Sequence, residues 1–489
     1  MALTARLAAR AKNRDLPRLT PRTCLILVSV LFLLAQLLLV VDVTPLGWDE
    51  KVYVGQFSPW SGKMIFTAPR SRGMPLIVAP VLQFTSSMAA LRAYLALLSA
   101  VGMYVGFGAW LPLRNSRTVA LAALMFGSLW TALFYGPSAM PDMPVAFCAL
   151  AGTAWAVRAA RGEPGRRLLL LVFAALALAA LIRPADTVQL MVGMCLAVVL
   201  LPALRPRRWA VLGAVLGGAA AGALPWIVEA QLRYGGVRDR IHAALHAQST
   251  GKRFVPDFSL RAADGPLLCR PCVRADQPIA TWVLAWWVGG ALLITVALIA
   301  AHRRGHLVEL LVPTGVGAIF ALPYLLLVGY AAPRFLLPTY ALLALPAAGG
   351  VGALLLRVPR SWRWSGVALG AAILLVFGHI QLGLVTHATA SSRRGAARYA
   401  RAVKELKKAG VTPPCTTLGE FATPVGFPAG CSSVALTTVG NERFTMKDLR
   451  QRVATQHVAV VARPGTAPPP YARGWSRLPS RTYAIWVSP

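Results

Sequence analysis

The sequence predicts a mainly α-helical, polytopic membrane protein with about 11 transmembrane helices and a small C-terminal α/β domain, and three observations carry that prediction. Hydrophobic residues make up 56% of the chain and charged residues only 14%, against roughly 45–50% and 25% in a soluble domain; the mean hydropathy is +0.59. Apolar stretches near the ~20 residues of a bilayer-crossing helix recur along the chain, where a barrel would need short alternating strands. Basic residues cluster in alternate short turns, the signature of loops kept on the cytoplasmic side.

The first apolar stretch, 24–43, is too long for the hydrophobic core of a signal peptide and has no small-residue cleavage site before Thr44, so it reads as an anchor. Further spans are expected at 88–112, 118–136, 143–160, 167–182, 186–204, 209–228, 280–301, 307–329, 335–356 and 365–387. Arg6, Arg10, Lys12, Arg14, Arg18 and Arg22 precede the first span. Later basic turns hold Arg114/Arg117, Arg158/Arg161/Arg166/Arg167, Arg205/Arg207/Arg208, Arg303/Arg304 and Arg357/Arg360/Arg363. The N-terminus is therefore placed in the cytoplasm and, with an odd number of spans, the C-terminus outside a cell membrane.

The opposite face carries the long segments: a first loop at 44–87, a second at 229–279 and a tail from 388. Long non-spanning segments are usually functional or separately folded. This divides the chain into a membrane domain, 1–387, and an extracytoplasmic domain, 388–489. In the first loop, MPLIVAPVLQF is too short to span and suits a helix lying in the interface. In the tail, RYARAVKELKKAG reads as a helix ended by Gly410, and AVVARP and TYAIWVS read as strands.

The net charge of +33 is spread over many short loops rather than gathered on one surface, so no nucleic-acid partner is expected. Four cysteines fall outside the spans, where the compartment permits disulfides. Cys415 and Cys431 are candidates for one bridge. Cys269 and Cys272, in CRPC, suit a tight disulfide or half of a zinc site, but no second CxxC completes the latter. His242 and His246 have helical ligand spacing without a third ligand and read as a surface pair.

The candidate chemistry gathers on the long-loop face. Asp49 and Glu50 sit together where the first span has ended, and a capping Asp followed by a dipole-favoured Glu accounts for both locally. If the segment is helical, Tyr53 shares a face with them, and a carboxylate beside a phenol at a cavity mouth suits proton abstraction from a hydroxyl. Arg70 and Arg72 follow in the same loop, and Arg183 and Arg334 stand beside prolines in tight later turns. Singly, each could snorkel to headgroups; together, forked guanidinium groups suit a phosphate. Asp142 is the lone acid of its turn, with N-capping as its simpler role, and Asp186 can simply pair with Arg183.

WDEKVY after the first span, RSRGMPLIVAP before the second, MPDMPVAF, LIRP and APRFLLPTYALLALPA together resemble the GT-C integral-membrane glycosyltransferases. The closest branch in this respect is that of the protein O-mannosyltransferases and the aminoarabinose transferase of lipid A. The resemblance runs over roughly 24–355, each motif is short and loose, and the signature of no single donor-specific family is complete. It implies inverting transfer of a sugar from a polyprenyl-phosphate donor to a hydroxyl of a glycan, lipid or protein acceptor on the outer face. Asp49 corresponds to the general base and Glu50 and Tyr53 to groups that orient it or the acceptor. Asp142 corresponds to a second outer acid, and Arg72, Arg183 and Arg334, with Arg70 and Lys51 beside them, to groups that hold the leaving phosphate. No cofactor is required by this scheme, although a divalent cation on Asp49 and Asp142 could share the phosphate's charge. A multi-pass transporter or lipid flippase would instead place ionisable residues mid-span, and a silent membrane scaffold would need none of these groups.

Overall fold

The computed structural model describes residues 20–248, 281–328 and 332–489, apart from Asn115, Pro164, Val439, Asn441 and Glu442. Thr20 caps α1 (Pro21–Gln36), which ends in a π turn over Leu37–Val41. The first long loop holds two short helices, α2 (Trp48–Val54) and α3 (Gly73–Leu82), so MPLIVAPVLQF is helical as expected. The bundle continues with α4 (Met88–Gly108), α5 (Ser116–Gly127), α6 (Trp130–Tyr135), α7 (Asp142–Ala160), α8 (Arg166–Ile182) and α9 (Pro184–Leu200). It is completed by α10 (Arg208–Tyr234), α11 (Val237–Gln248), α12 (Thr281–Arg303), α13 (Val308–Leu326), α14 (Leu337–Leu355) and α15 (Arg363–Lys408).

Eight of the described helical segments are long and apolar enough to cross a membrane: Arg22–Val41, Met88–Gly108, Asp142–Ala160, Arg208–Tyr234, Val283–Arg303, Val308–Leu326, Pro333–Leu355 and Trp364–Lys408. The other three expected spans are shorter, so length and composition alone do not reproduce the count of about 11. The segment 118–136 breaks between α5 and α6. There the Trp130 amide, freed at the start of α6, donates to Gln381 Oε1 of α15 at 2.7 Å, which satisfies a donor that a helix start leaves orphaned. The helices α8 and α9 have 17 residues each, about 26 Å at 1.5 Å per residue.

Small residues set the packing. In membranes, helices associate through close backbone approach, and α10 meets α8 along Gly218 and Gly222: a Cβ on Gly222 would lie 2.7 Å from Ala177 Cα. The Ala-rich α7 is almost wholly buried at the centre, against α4, α8 and α14.

The last span does not stop at 387. With no proline between Pro359 and Pro413, α15 runs unbroken for 46 residues, about 69 Å, and joins the expected tail helix to the span. Beyond it lie β1 (Cys415–Leu418), α16 (Ala422–Ala429), β2 (Ser432–Ser433), α17 (Met446–Thr455), β3 (His457–Ala462), β4 (Ser476–Arg477) and β5 (Ala484–Val487). The sheet order is β2-β1-β3-β5-β4. β1 is parallel to both neighbours, and β3 and β4 are antiparallel to β5. Cys415 and Cys431 are disulfide-bonded. Cys269, Cys272 and most of the 229–279 loop lie outside the described residues.

The small domain is fastened to the first loop. The Ser433 amide donates to Lys63 O at 2.9 Å, and the Ile65 amide to Ser433 Oγ at 3.0 Å. Trp48 packs against Phe421 with ring centroids 5.8 Å apart.

Candidate active site

Two buried arginines hold the first loop in place. Arg92, one turn inside α4 and 1% exposed, spends its whole fork on that loop and its neighbour. Nε donates to Thr44 O at 2.6 Å, Nη1 to Pro137 O at 3.0 Å, and Nη2 to Pro45 O at 2.7 Å and Glu50 Oε2 at 3.0 Å. Arg240 of α11, fully buried, donates to Ala68 O, Trp226 O and Arg70 O at 3.1, 2.8 and 3.0 Å, and pairs with Glu229 at 2.7 Å. Between these brackets Gly73 lies against the end of α8, where a Cβ would come 2.6 Å from Ile182 Cα, and Ser71 Oγ donates to Leu181 O at 2.7 Å. The loop is thereby fixed next to Arg183, the residue after Ile182.

Arg70, Asp49, Arg334, Asp142, Arg183 and Asp186 form a ladder of alternating charge. Arg70 Nη2 donates to Asp49 Oδ1 at 2.6 Å, and Arg334 Nη2 to Asp49 Oδ2 at 3.0 Å. Arg334 Nε lies 3.4 Å from Asp142 Oδ2, while Arg183 Nη1 donates to Asp142 Oδ1 at 2.7 Å. Arg183 Nε meets Asp186 Oδ1 at 3.0 Å, and the Tyr324 hydroxyl donates to the same oxygen. Rings of Tyr135, Tyr324 and Phe335 cover the guanidinium faces at 5.0–5.9 Å. Three acids and three arginines leave the ladder neutral. Asp142 and Asp186 have side chains only 1% exposed, whereas that of Asp49 is 32% exposed, so Asp49 is the acid a substrate can reach.

Partial burial pushes the Asp49 carboxyl up, but Arg70 and then Arg334, with the Arg70 hydrogen bond and the more distant Arg183, outweigh it and hold the group below the usual carboxylate range. Asp49 is therefore an anion at neutral pH. Tyr53, buried and edge-on to Phe66, feels the charges of Arg70, Asp49, Arg183 and Asp142; burial pushes its phenol up, so it stays protonated.

The other sequence candidates go elsewhere, each for a physical reason. Glu50 turns inward and spends both oxygens on scaffold: Oε2 accepts from Gly47 N at 2.7 Å and from Arg92, and Oε1 accepts from Ala139 N at 2.8 Å. Its bond to the Gly47 amide caps the start of α2 from the third helical residue, Gly47 having no side chain to reciprocate, and it ties the helix to α4 and to the turn before α7. Arg72 donates through Nε and Nη2 to Glu229 Oε1 at 3.0 and 2.8 Å, and through Nη1 to Gln56, because α10 extends past 228 and carries Glu229 to it. Lys51 is buried against the small domain, its Nζ donating to Pro424 O at 3.1 Å and lying 4.8 Å from the centre of the Tyr399 ring; burial brings its ammonium down to about 8. A divalent cation shared by Asp49 and Asp142 does not fit this arrangement: the Arg334 guanidinium bridges the two carboxylates. Among the described residues no three His, Cys, Asp or Glu side chains converge as a metal site, His242 and His246 included.

Sequence reasoning missed Arg92, Arg240, Tyr135 and Tyr324. The signal for Arg92 is an arginine four residues inside an otherwise apolar span, where a charge persists only if something holds it.

No protein-family model matches the sequence, and no curated protein matches it. Solved structures do. ArnT from Cupriavidus metallidurans in the apo state aligns with 15% identity over 95% of this chain and 97% of that one, at a TM-score of 0.62. The same protein bound to undecaprenyl phosphate aligns with 14% identity over 95% and 98%, at 0.61. The oligosaccharyltransferase AglB from Archaeoglobus fulgidus, in complex with an inhibitory peptide and a dolichol-phosphate, aligns with 12% identity over 89% and 69%, at 0.51. At these identities the likeness defines the fold: this is a multi-pass membrane protein of GT-C architecture.

Proposed function

We propose that the protein transfers a sugar from a polyprenyl-phosphate donor to an acceptor hydroxyl on the outer face of the cell membrane, with inversion at the anomeric carbon and Asp49 as the general base. The observation that carries this reading is Asp49 itself: the one reachable carboxylate of a neutral ladder, held between two guanidinium groups from distant parts of the chain. The undecaprenyl phosphate and dolichol-phosphate bound by proteins of the same fold support the donor class.

The charge balance supports the direction of the chemistry. As the acceptor oxygen bonds to the anomeric carbon, the bond from that carbon to the phosphate oxygen breaks and its electron pair leaves with the phosphate, which gains one negative charge. The hydroxyl proton passes to Asp49, which loses one. Arg70, and Arg334 through the side that Asp49 has released, then turn to the phosphate at the moment it needs them, while Asp142 stays paired with Arg334 and Arg183 and Asp186 with Arg183. A weak base suffices, because the acceptor oxygen becomes strongly acidic once its new bond begins to form. Tyr53 orients the acceptor, and Asp142 keeps Arg334 within reach of both partners. Glu50, Lys51 and Arg72 act by position: Glu50 anchors α2, Lys51 fastens the small domain to it, and Arg72 joins the first loop to α10.

Incubating the purified full-length protein with a panel of polyprenyl-monophosphate sugars and separating the products tests the reading. Release of free polyprenyl phosphate with at least one donor is expected; no transfer or hydrolysis with any of them would overturn it.

A further inference from the structure

At the end of the bundle opposite the ladder, the last turns of α12 and α14, the start of α13 and the turn after α4 line a cavity of about 210 Å³. One wall is a slot of small residues, Ala297, Ala300, Ala301, Gly349 and Ala353, closed by Leu310, to whose Cδ1 a Cβ on Gly349 would come within 3.3 Å. The mouth carries Arg114, Arg304 and His306, and among the described residues no acid lines it. Glu309, beside the cavity, is engaged by Arg161 at 2.7 Å and lies 3.7 Å from His306 Nδ1. Arg114 Nε is buried without a hydrogen-bond acceptor among the described residues; burial disfavours its charge, Glu309 attracts it, and Arg304 is close enough to repel it more weakly. Two like charges beside one cavity, one with an unmet donor, form an unfinished anion site.

We propose that this cavity binds an anionic phospholipid of the cytoplasmic leaflet, its headgroup phosphate on Arg114 and Arg304 and the start of one acyl chain in the small-residue slot. The cavity lies among basic turns that the positive-inside rule puts in the cytoplasm, at headgroup depth, where anionic lipids are concentrated and basic pockets between helices select them. The guanidinium pair matches the phosphate, and the Ala and Gly wall matches a hydrocarbon chain, which a free phosphate would leave empty. The site is separate from the proposed transfer chemistry and rests only on the membrane placement of the bundle.

The test measures the thermal midpoint of the purified full-length protein in neutral detergent with phosphatidylglycerol, phosphatidylcholine or inorganic phosphate. Phosphatidylglycerol is expected to raise the midpoint saturably by about 5 °C, and the other two to leave it unchanged. Arg114→Gln/Arg304→Gln should abolish the rise. Arg205→Gln/Arg208→Gln, with the same loss of charge in another basic turn, should keep it. Ala300→Phe, which fills the slot without changing charge, should also abolish it and decides the matter if the arginine variant does not fold. An equal rise with phosphatidylcholine or inorganic phosphate, or a rise that survives in the cavity variants, would overturn the proposal.

Discussion

Glu50→Gln separates a scaffold carboxylate from a catalytic one. Glu50 and Arg92 have side chains 7% and 1% exposed, and removing one partner of a buried ion pair costs about 3–5 kcal/mol, because the other charge is left without compensation. Here Arg92 keeps three backbone carbonyls within 3.0 Å, but a glutamine has one acceptor oxygen for the amides of Gly47 and Ala139, which Glu50 meets with separate oxygens, and turns its NH2 toward the other donor. The retained carbonyls lower the cost and the stranded amide raises it, so the loss should fall within that range, about 3–5 kcal/mol. Equilibrium unfolding in mixed micelles, followed by tryptophan fluorescence, measures it. A double-mutant cycle with Arg92→Met should show at least about 1 kcal/mol of coupling. Below the variant's midpoint, single-turnover transfer should stay within tenfold of wild type. A stability change under 1 kcal/mol, additive single changes, or a hundredfold loss of transfer in a stably folded variant would refute the scaffold role and return Glu50 to the chemistry.

Three further outcomes follow from the geometry. Because two guanidinium groups depress the Asp49 carboxyl, it stabilises the folded ladder above the ordinary carboxylate pKa of ~3.9 and loses that contribution as pH falls through its lower folded value. The acid limb of kcat/KM should accordingly lie below pH ~4, and Arg70→Gln should move it upward in a pH-rate profile. Burial lowers Lys51 from 10.5 to about 8, so the unfolded chain binds the extra proton between those values and wild type should gain stability over Lys51→Met as pH rises through that window. The gain should reach about 2 kcal/mol by matched melts at pH 7.5 and 10. Cys415→Ser/Cys431→Ser opens a bridge across a separation of 16 residues and should destabilise the small domain by about 3 kcal/mol, read as its earlier proteolysis in a melt series.

The sequence shows the fold class well, because composition and the alternation of basic turns are physical consequences of spanning a bilayer. The main members of the site were visible for a related reason: Asp49, Arg70, Asp142, Arg183 and Arg334 are charges at apolar helix ends, all on one face. Their pairing was not visible. Asp49 and Arg334 are 285 residues apart, and only the packing of α7 and α14 beside the first loop brings them together. Arg72 and Lys51 stand apart from the ladder because neighbours that sequence position does not reveal hold them: Glu229, on a helix longer than its apolar run, and Pro424, in a domain whose docking surface has no sequence signature. Arg92 and Arg240 escaped notice because an arginine near a span end reads equally well as a headgroup contact. Only the carbonyls around each fork distinguish the two.

The central claim is that Asp49 takes the acceptor proton, and the most direct measurement is single-turnover transfer by Asp49→Asn with a polyprenyl-monophosphate sugar that wild type uses. Asparagine keeps the shape and its one acceptor oxygen holds either Arg70 or Arg334, leaving the other guanidinium free for the phosphate, so donor binding should persist. The rate should fall by about 10²–10⁴, the range general-base catalysis supplies. A variant that binds donor and transfers within tenfold of wild type would contradict the account.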